Sequence, residues 1–218
     1  MGRVNARLIG WSLFVGFLTT LAYVSYFTGD RPPKDVAYRW DSSISGLVAY
    51  AIFFGIVMLL TRSLDRRSFL ALRRPTSWAL AARISIVVIV AVTVVGAAVA
   101  PFGSPGKEQG LIPERFDSHR IAQFVAYAAI VTVAGPIVEE LMFRGVGYGL
   151  LERYGRITAV VLVGLAFGLI HGLVAGFPVI ATFGIGLAYL RARTNSIYPC
   201  ILLHASFNAA GLAFGVAT

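Results

Sequence analysis

The chain has 218 residues, of which 57% are hydrophobic and only 13% are charged, and its formal net charge is +9. Its mean hydropathy is +0.77, whereas about 25% of the residues in soluble domains are charged. This composition excludes an ordinary soluble domain and predicts an integral membrane protein.

Seven segments are long and apolar enough to be considered as transmembrane helices, which need about 20 mainly apolar residues. In chain order they are Leu8–Phe27, Ile44–Thr61, Ile84–Phe102, Ile121–Phe143, Ile157–His171, Ala175–Leu190 and Ile197–Gly215. The connections are too short to hold a soluble domain, so we predict one all-α, polytopic membrane bundle. A loop rich in Gly and Pro divides an N-terminal three-span region (1–103) from a four-span region (104–218).

The basic residues are unevenly shared between the two sides of this bundle. Of the 19 Lys and Arg residues, thirteen fall on the side of the N-terminus, Arg144 among them. The other side has Arg31, Lys34, Arg39, Lys107, Arg115 and Arg120, accompanied by Asp30, Asp35, Asp41, Glu108, Glu114 and Asp117. The positive-inside rule predicts a cytoplasmic N-terminus and an extracytoplasmic C-terminus, and we expect a bacterial cytoplasmic membrane. The basic excess then faces anionic lipid headgroups, and nucleic acid is not an expected partner.

Two adjacent carboxylates lie at the end of the fourth predicted span. Ionised side chains at membrane depth are costly and indicate a functional site. Glu140 and Arg144 are four residues apart and can pair on one helix face. Glu139 is rotated by about 100° from Glu140 and is free to act as a general base, while Pro136 predicts a kink. The alternative is that both acids are simply interfacial.

Glycines recur at every fourth position of the fifth span, at Gly164, Gly168, Gly172 and Gly176. Such a face allows another helix to approach closely. Phe167 and His171 lie on the neighbouring stripe, where His171 is a candidate functional residue and Phe167 is expected to pack.

The last predicted span carries His204 and Asn208, one helical turn apart. Taken singly, each could form an interhelical hydrogen bond. Taken together, they could donate hydrogen bonds to a developing oxyanion.

The three polar motifs resemble a known signature. Glu139-Glu140-Leu-Met-Phe-Arg144, Phe167-Gly-Leu-Ile-His171 and His204-Ala-Ser-Phe-Asn208 are similar to the motifs of the CPBP family. That family comprises CAAX prenyl endopeptidases and bacteriocin-processing or immunity-type (Abi) membrane proteins. The resemblance covers residues 121–215 and implies an intramembrane endopeptidase with a membrane-associated peptide or protein as substrate.

The resemblance also implies roles for individual residues. Glu139 and His171 would activate water, His204 and Asn208 would bind the oxyanion, and Glu140 and Arg144 would support them. We expect no metal, although zinc could be bound by Glu139, His171 and His204, since catalytic zinc uses three such ligands.

Two questions remain open from the sequence. The same buried polar residues could belong to a non-catalytic binding or immunity scaffold, or to a proton or ion path. In addition, the predicted boundaries place Glu139 near the cytoplasmic end of one span and His171 near the outer end of the next. Either residues 145–156 re-enter or project beyond the membrane, or the boundaries are wrong.

Overall fold

The computed structural model describes residues 2–29, 32–103, 108, 110, 113 and 116–217, with side chains from residue 5 to residue 215. The described residues form helices and connecting turns and include no strand, so the predicted all-α fold is confirmed. The α-helices are α1 (Gly2–Thr28), α2 (Trp40–Leu60), α3 (Arg66–Phe69), α4 (Trp78–Val99), α5 (Ile121–Ala129), α6 (Gly135–Glu140), α7 (Tyr148–Leu151), α8 (Arg156–Leu169), α9 (Phe177–Thr194) and α10 (Tyr198–Ala217).

The helices α5, α6 and α7 are parts of one long helix. Two π-helical segments, Ile130–Ala134 and Leu141–Gly147, join them, and the whole helix runs over the 37 residues from Ser118 to Tyr154. The predicted end of the fourth span at Phe143 is therefore wrong. The following glycines and arginine resemble a loop in sequence, but in the fold they are enclosed by neighbouring helices.

Four helical stretches are long and apolar enough to cross a membrane: Asn5–Thr28, Trp40–Leu60, Trp78–Phe102 and Ser118–Tyr154. They correspond to the first four predicted spans. The other three predicted spans correspond to α8, α9 and α10, which have 14, 18 and 20 residues. Large apolar side chains on α1, α2 and α4 point outward, as expected where lipid covers the surface.

The long helix lies at the centre of the bundle. It packs against α2, α8 and α10, and its residues from Val138 to Val146 are nearly all buried. Helix α4 packs on α9, where a Cβ added at Gly186 would lie 2.6 Å from Val88. Of the N-terminal helices, α1 and α2 therefore pack on the long helix, which carries the first polar motif, whereas α4 packs mainly on α9.

Helices α8 and α9 approach each other closely through glycine. A Cβ added at Gly184 would lie 2.5 Å from the carbonyl oxygen of Gly164, and one added at Gly164 would clash with Ile185. The small-residue face predicted on the fifth span is therefore a real helix contact. Any larger side chain at this crossing would push α8 and α9 apart.

Charged residues near the start of the long helix form ion pairs. Arg39 contacts Asp41 at 2.6 Å, and Arg120 contacts both Asp35 and Asp117 at 2.8 Å. The hydrogen bond from Arg120 holds the pKa of the Asp117 carboxyl below its usual range. Five more charged residues are predicted for this side but lie outside the described residues: Asp30, Arg31, Lys107, Glu114 and Arg115.

Arg144 does not lie where the charge distribution predicts it. The distribution places it among the basic residues of the cytoplasmic side, but it is fully buried within the long helix. Without it the asymmetry is twelve basic residues against six. This excess still predicts a cytoplasmic N-terminus by the positive-inside rule, and the orientation stays a prediction.

Candidate active site

Glu139 and His171 lie at matching positions on the two arms of a helical hairpin. Gly155, with φ of +113°, joins the long helix to α8, and each of the two residues is sixteen positions from it. At 1.5 Å per residue, both are about 24 Å from the turn. Phe143 and Phe167, each twelve positions from Gly155, are in contact, with ring centroids 5.4 Å apart. The hairpin therefore places Glu139 and His171 at similar levels along its two arms, with the long helix continuing through the segment 145–154.

The two glutamates occupy a short α-helical turn between the two π-helical segments. In the first π segment the backbone N–H of Gly135 donates to the carbonyl of Ile130. The next bond in that pattern, to the carbonyl of Val131, would need a donor at Pro136, which has no N–H. The predicted disturbance at Pro136 is present as a π segment rather than a simple kink. Such segments are frequent at functional sites.

Glu140, Arg144 and His204 form a buried polar network. Arg144 Nη1 donates to Glu140 Oε1 at 2.9 Å, so the predicted pair is present. His204 Nδ1 lies 2.9 Å from the same oxygen. Both members of the ion pair are fully buried, and removing one partner of such a pair typically costs about 3–5 kcal/mol. Arg144 Nη2 donates to the carbonyl of Gly184 at 2.8 Å, which ties the network to α9.

The two carboxylate oxygens of Glu139 have different surroundings. Oε1 accepts a hydrogen bond of 2.9 Å from the Tyr50 hydroxyl. Oε2 is buried and has no hydrogen-bond partner among the described residues. It lies 3.9 Å from Nε2 of His204. One oxygen is therefore fixed, while the other remains available to accept a proton from a bound molecule.

Tyr50 was not predicted as a site residue. It lies on α2, 89 positions before Glu139, in a region without a diagnostic motif. Its ring fills the space beside Gly135, where an added Cβ would lie 2.6 Å from the Tyr50 hydroxyl oxygen. The sequence contains one relevant signal, Gly135, which is the single glycine of the apolar run from Ile121 to Val138. The glycine alone does not identify Tyr50 as the residue that packs against it.

His171 follows the end of α8, in a turn where Gly172 has φ of +63°. Its Nδ1 lies 2.7 Å from the carbonyl oxygen of Phe167. Because a carbonyl can only accept, Nδ1 carries the proton in this contact. The neutral ring then presents Nε2 as an acceptor, as a general base requires.

Phe167 connects the polar residues through its ring. The Arg144 guanidinium carbon lies 4.4 Å from the ring centroid. The imidazoles of His171 and His204 lie 4.8 Å and 5.4 Å from it. The ring is 1% exposed. It packs as expected, and it also sets the relative positions of both histidines.

Asn208 lies one turn after His204 on α10. Its Nδ2 donates to the carbonyl of Val131 at 2.9 Å, the carbonyl to which Pro136 cannot donate because it has no N–H. Asn208 therefore satisfies the π segment in this structure. The amide nitrogen has a second hydrogen, so this contact does not use up its capacity to donate.

Glu108 anchors the segment that follows His171. Its carboxylate accepts backbone hydrogen bonds from Val174, Ala175 and Gly176 at distances of 2.8, 3.1 and 2.6 Å. The sequence indicated only a charged outer loop here. The contact places an acid at the N-terminus of α9, which is electrostatically favourable.

The sequence allows zinc to be bound by Glu139, His171 and His204. Nδ1 of His204 is already held by Glu140, and its Nε2 lies 3.9 Å from Glu139 Oε2. Two ligands of one tetrahedral zinc ion lie only about 3.4 Å apart, given metal–ligand distances of about 2.0–2.2 Å. Among the described residues, no three His, Cys, Asp or Glu side chains converge suitably for a metal ion. The expectation that no metal is bound stays a prediction.

The segment that carries these residues is similar to one protein family and to one curated bacterial protein. Residues 121–210 match the family described as type II CAAX prenyl endopeptidase Rce1-like. A stretch of 90 residues is 31% identical to the "Putative membrane peptidase YdiL" of Bacillus subtilis (strain 168), covering 40% of this chain and 37% of that protein. The chain thus spans little more than a third of the length of this curated relative. No solved structure matches.

The matched residues contain all three polar motifs, so the predicted family resemblance is confirmed for this part of the chain. Tyr50 and the helices α1, α2 and α4 lie outside the match.

Proposed function

We propose that this chain, whose residues 121–210 match the family described as type II CAAX prenyl endopeptidase Rce1-like, is an intramembrane endopeptidase. It hydrolyses a peptide bond of a membrane-associated protein or peptide with water activated by Glu139 and His171. The observation that carries the proposal is the asymmetric Glu139 carboxylate. One oxygen is fixed by Tyr50, and the other is buried, unpartnered and beside a histidine.

The first step is the activation of water. Glu139 Oε2 accepts one proton from a water molecule, and the lone pair of His171 Nε2 orients it. The hydroxide oxygen attacks the carbonyl carbon of the substrate, and the carbonyl π electrons move to oxygen. A positioned general base of this kind typically contributes about 10²–10⁴ in rate. Tyr50 acts as a positioning residue, because it limits rotation of the Glu139 carboxylate.

The second step stabilises and resolves the tetrahedral intermediate. Its oxyanion accepts hydrogen bonds from His204, when Nε2 carries a proton, and from the remaining N–H of Asn208. Glu139 then returns its proton to the amide nitrogen, the carbon–nitrogen bond breaks, and the amine leaves. Donors already fixed in position contribute strongly in such a water-poor site.

Glu140 and Arg144 support this reaction without contacting the substrate. Glu140 fixes the orientation of His204 through Nδ1, at 2.9 Å. Arg144 neutralises Glu140 and is held by Gly184 and the Phe167 ring. Because an unpaired buried charge is costly, we expect variants of either residue to lose stability as well as activity.

The function is tested with purified full-length chain in proteoliposomes. The first probe is a farnesylated peptide ending in a CAAX sequence, compared with the same peptide without the lipid and with a transmembrane peptide. Cleavage that requires membrane insertion supports the proposal. A proton or ion path predicts instead a flux in dye-loaded vesicles that is lost in Glu139→Gln. If flux is observed and no probe is cleaved, the proton or ion path would replace the protease as the proposed function.

A further inference from the structure

A cleft of about 480 Å³ opens at the end of the bundle where the long helix turns into α8 and where α9 ends. It lies about sixteen residues along either helix from the candidate active site, and its residues play no part in the proposed hydrolysis. The cleft is lined by Glu152, Arg156, Arg191, Ala192, Arg193 and Asn195.

Arg191 is a buried cation that forms no ion pair with the described residues, although Glu152 lines the same cleft. It is 4% exposed, and its Nη1 donates to the amide oxygen of Asn195 at 3.3 Å. Its guanidinium carbon lies 4.9 Å from the centroid of the Tyr148 ring, and its Nε has no acceptor among the described residues. Burial of an unpaired charge typically costs several kcal/mol. An acceptor from outside the chain would remove this penalty.

The other buried arginine of the bundle interior provides a comparison. Arg144 is also buried, but it contacts the Glu140 carboxylate at 2.9 Å and the Gly184 carbonyl at 2.8 Å. Both contacts are within the chain. Arg191 lines an open cleft, and no carboxylate of the described residues, Glu152 of the cleft included, forms an ion pair with it. The difference indicates that the partner of Arg191 comes from solution or from the lipid.

Two further arginines face the same cleft. Arg156 and Arg193 are exposed and are in no ion pair with the described residues. Glu152 is the acid of the cleft, and its carboxylate accepts a hydrogen bond from the Tyr148 hydroxyl at 3.2 Å. Three guanidinium groups therefore face one carboxylate. At the opposite end of the bundle, by contrast, Arg39 and Arg120 are paired with aspartates.

We propose that this cleft binds a phosphate-type oxyanion, with the lipid headgroup of an anionic phospholipid as the source that its position favours. Guanidinium groups recognise phosphate through two parallel hydrogen bonds. The cleft lies at the end of apolar helices, where headgroups are located. Ile157, next to Arg156, is 81% exposed and offers an apolar surface beside the cleft for an acyl chain.

The test uses the full-length protein in neutral detergent at constant ionic strength, titrated with phosphatidylglycerol, phosphatidylcholine or inorganic phosphate. Thermal unfolding and native mass spectrometry report binding. The double variant Arg156→Gln/Arg193→Gln removes the two exposed cleft arginines without disturbing the core. The matched control, Arg62→Gln/Arg67→Gln, removes two exposed arginines outside the cleft.

We expect phosphatidylglycerol, and not phosphatidylcholine, to raise the unfolding temperature of the wild type and of the control. The cleft variant should bind it at least tenfold more weakly. Equal protection by inorganic phosphate would also support the oxyanion site, with free phosphate as a sufficient ligand. Equal responses of the wild type, control and cleft variant would overturn the proposal, because general surface charge would then explain binding.

Arg191→Met supplies a second measurement. If the anion satisfies Arg191, this variant should be at least as stable as the wild type without added lipid, and phosphatidylglycerol should no longer stabilise it. A variant that keeps the full lipid response would contradict the role of Arg191. None of these readouts depends on peptide cleavage, so the proposed protease function and this site can fail separately.

Discussion

Replacement of Tyr50 by Phe tests whether a residue outside the matched family segment positions the proposed general base. The substitution keeps the ring that fits beside Gly135 and removes only the hydroxyl. That hydroxyl donates to Glu139 Oε1 at 2.9 Å. A hydrogen bond to a charged group is worth about 1.5–3 kcal/mol, and about 1.4 kcal/mol corresponds to tenfold in rate. We therefore expect kcat to fall by about 10- to 100-fold.

The expected loss is in kcat, because the hydroxyl contacts the base and not the substrate. KM should stay within about twofold, since equal losses in kcat and kcat/KM indicate an interaction made in the transition state. The assay measures initial rates of peptide cleavage in proteoliposomes over a range of substrate concentrations. Thermal unfolding of each variant is measured in parallel.

The matched control is Tyr148→Phe. Tyr148 also donates to a glutamate on the long helix, Glu152, at 3.2 Å. It lies nine residues beyond Glu139, about 13 Å along the helix. This variant should retain the wild-type kcat. The reasoning is refuted if Tyr50→Phe keeps wild-type kcat, if it changes KM alone, or if Tyr148→Phe is impaired equally.

Three further predictions address the supporting residues, the metal and the orientation. Asn208→Ala should lower the free energy of unfolding by about 1 kcal/mol, as expected for one interhelical hydrogen bond. The same substitution should cost less in a Pro136→Ala background, where residue 136 has an N–H that can donate. Equal costs in both backgrounds would contradict this explanation of the Asn208 contact. Protein stripped with a strong chelator should retain cleavage, whereas activity that is lost and then restored by zinc alone would show a metal site. A reporter fused after Thr218 should be extracytoplasmic and one near Arg74 cytoplasmic, and a cytoplasmic C-terminus would contradict the predicted orientation.

The sequence predicted the helical fold and the Glu140–Arg144 pair because both depend on local spacing. Apolar length defines a helix, and residues four apart share a helix face. The glycines of α8 likewise indicated the close contact with α9. Each of these features is contained within one or two turns of helix.

The end of the long helix could not be predicted in the same way. Arg144 and the glycines that follow it are typical of a polar loop at a membrane surface. Their burial depends on α2, α8 and α9 closing around them, which single-segment hydropathy does not record. A span that ends at Phe143 separates Glu139 from His171 in depth, whereas in the structure the helix continues to Tyr154.

Contacts between residues far apart in the chain could not be predicted from the sequence either. Tyr50 reaches Glu139 across 89 positions, and Glu108 reaches the start of α9 across 66 or more. Asn208 donates to the Val131 carbonyl across 77 positions, at the place where Pro136 has no N–H to offer. Such contacts arise from the way helices pack, and no motif spacing identifies them.

The central claim is that Glu139 deprotonates the attacking water. It is tested most directly by comparing wild type and Glu139→Gln in water enriched in heavy oxygen, with mass analysis of the products. The amide of Gln has the size of the carboxylate and can still accept the Tyr50 hydrogen bond, but it is a far weaker base. Wild-type protein should place one heavy oxygen in the new carboxylate, and folded Glu139→Gln should lose at least about 10²-fold in rate. Undiminished turnover by Glu139→Gln would contradict the mechanism.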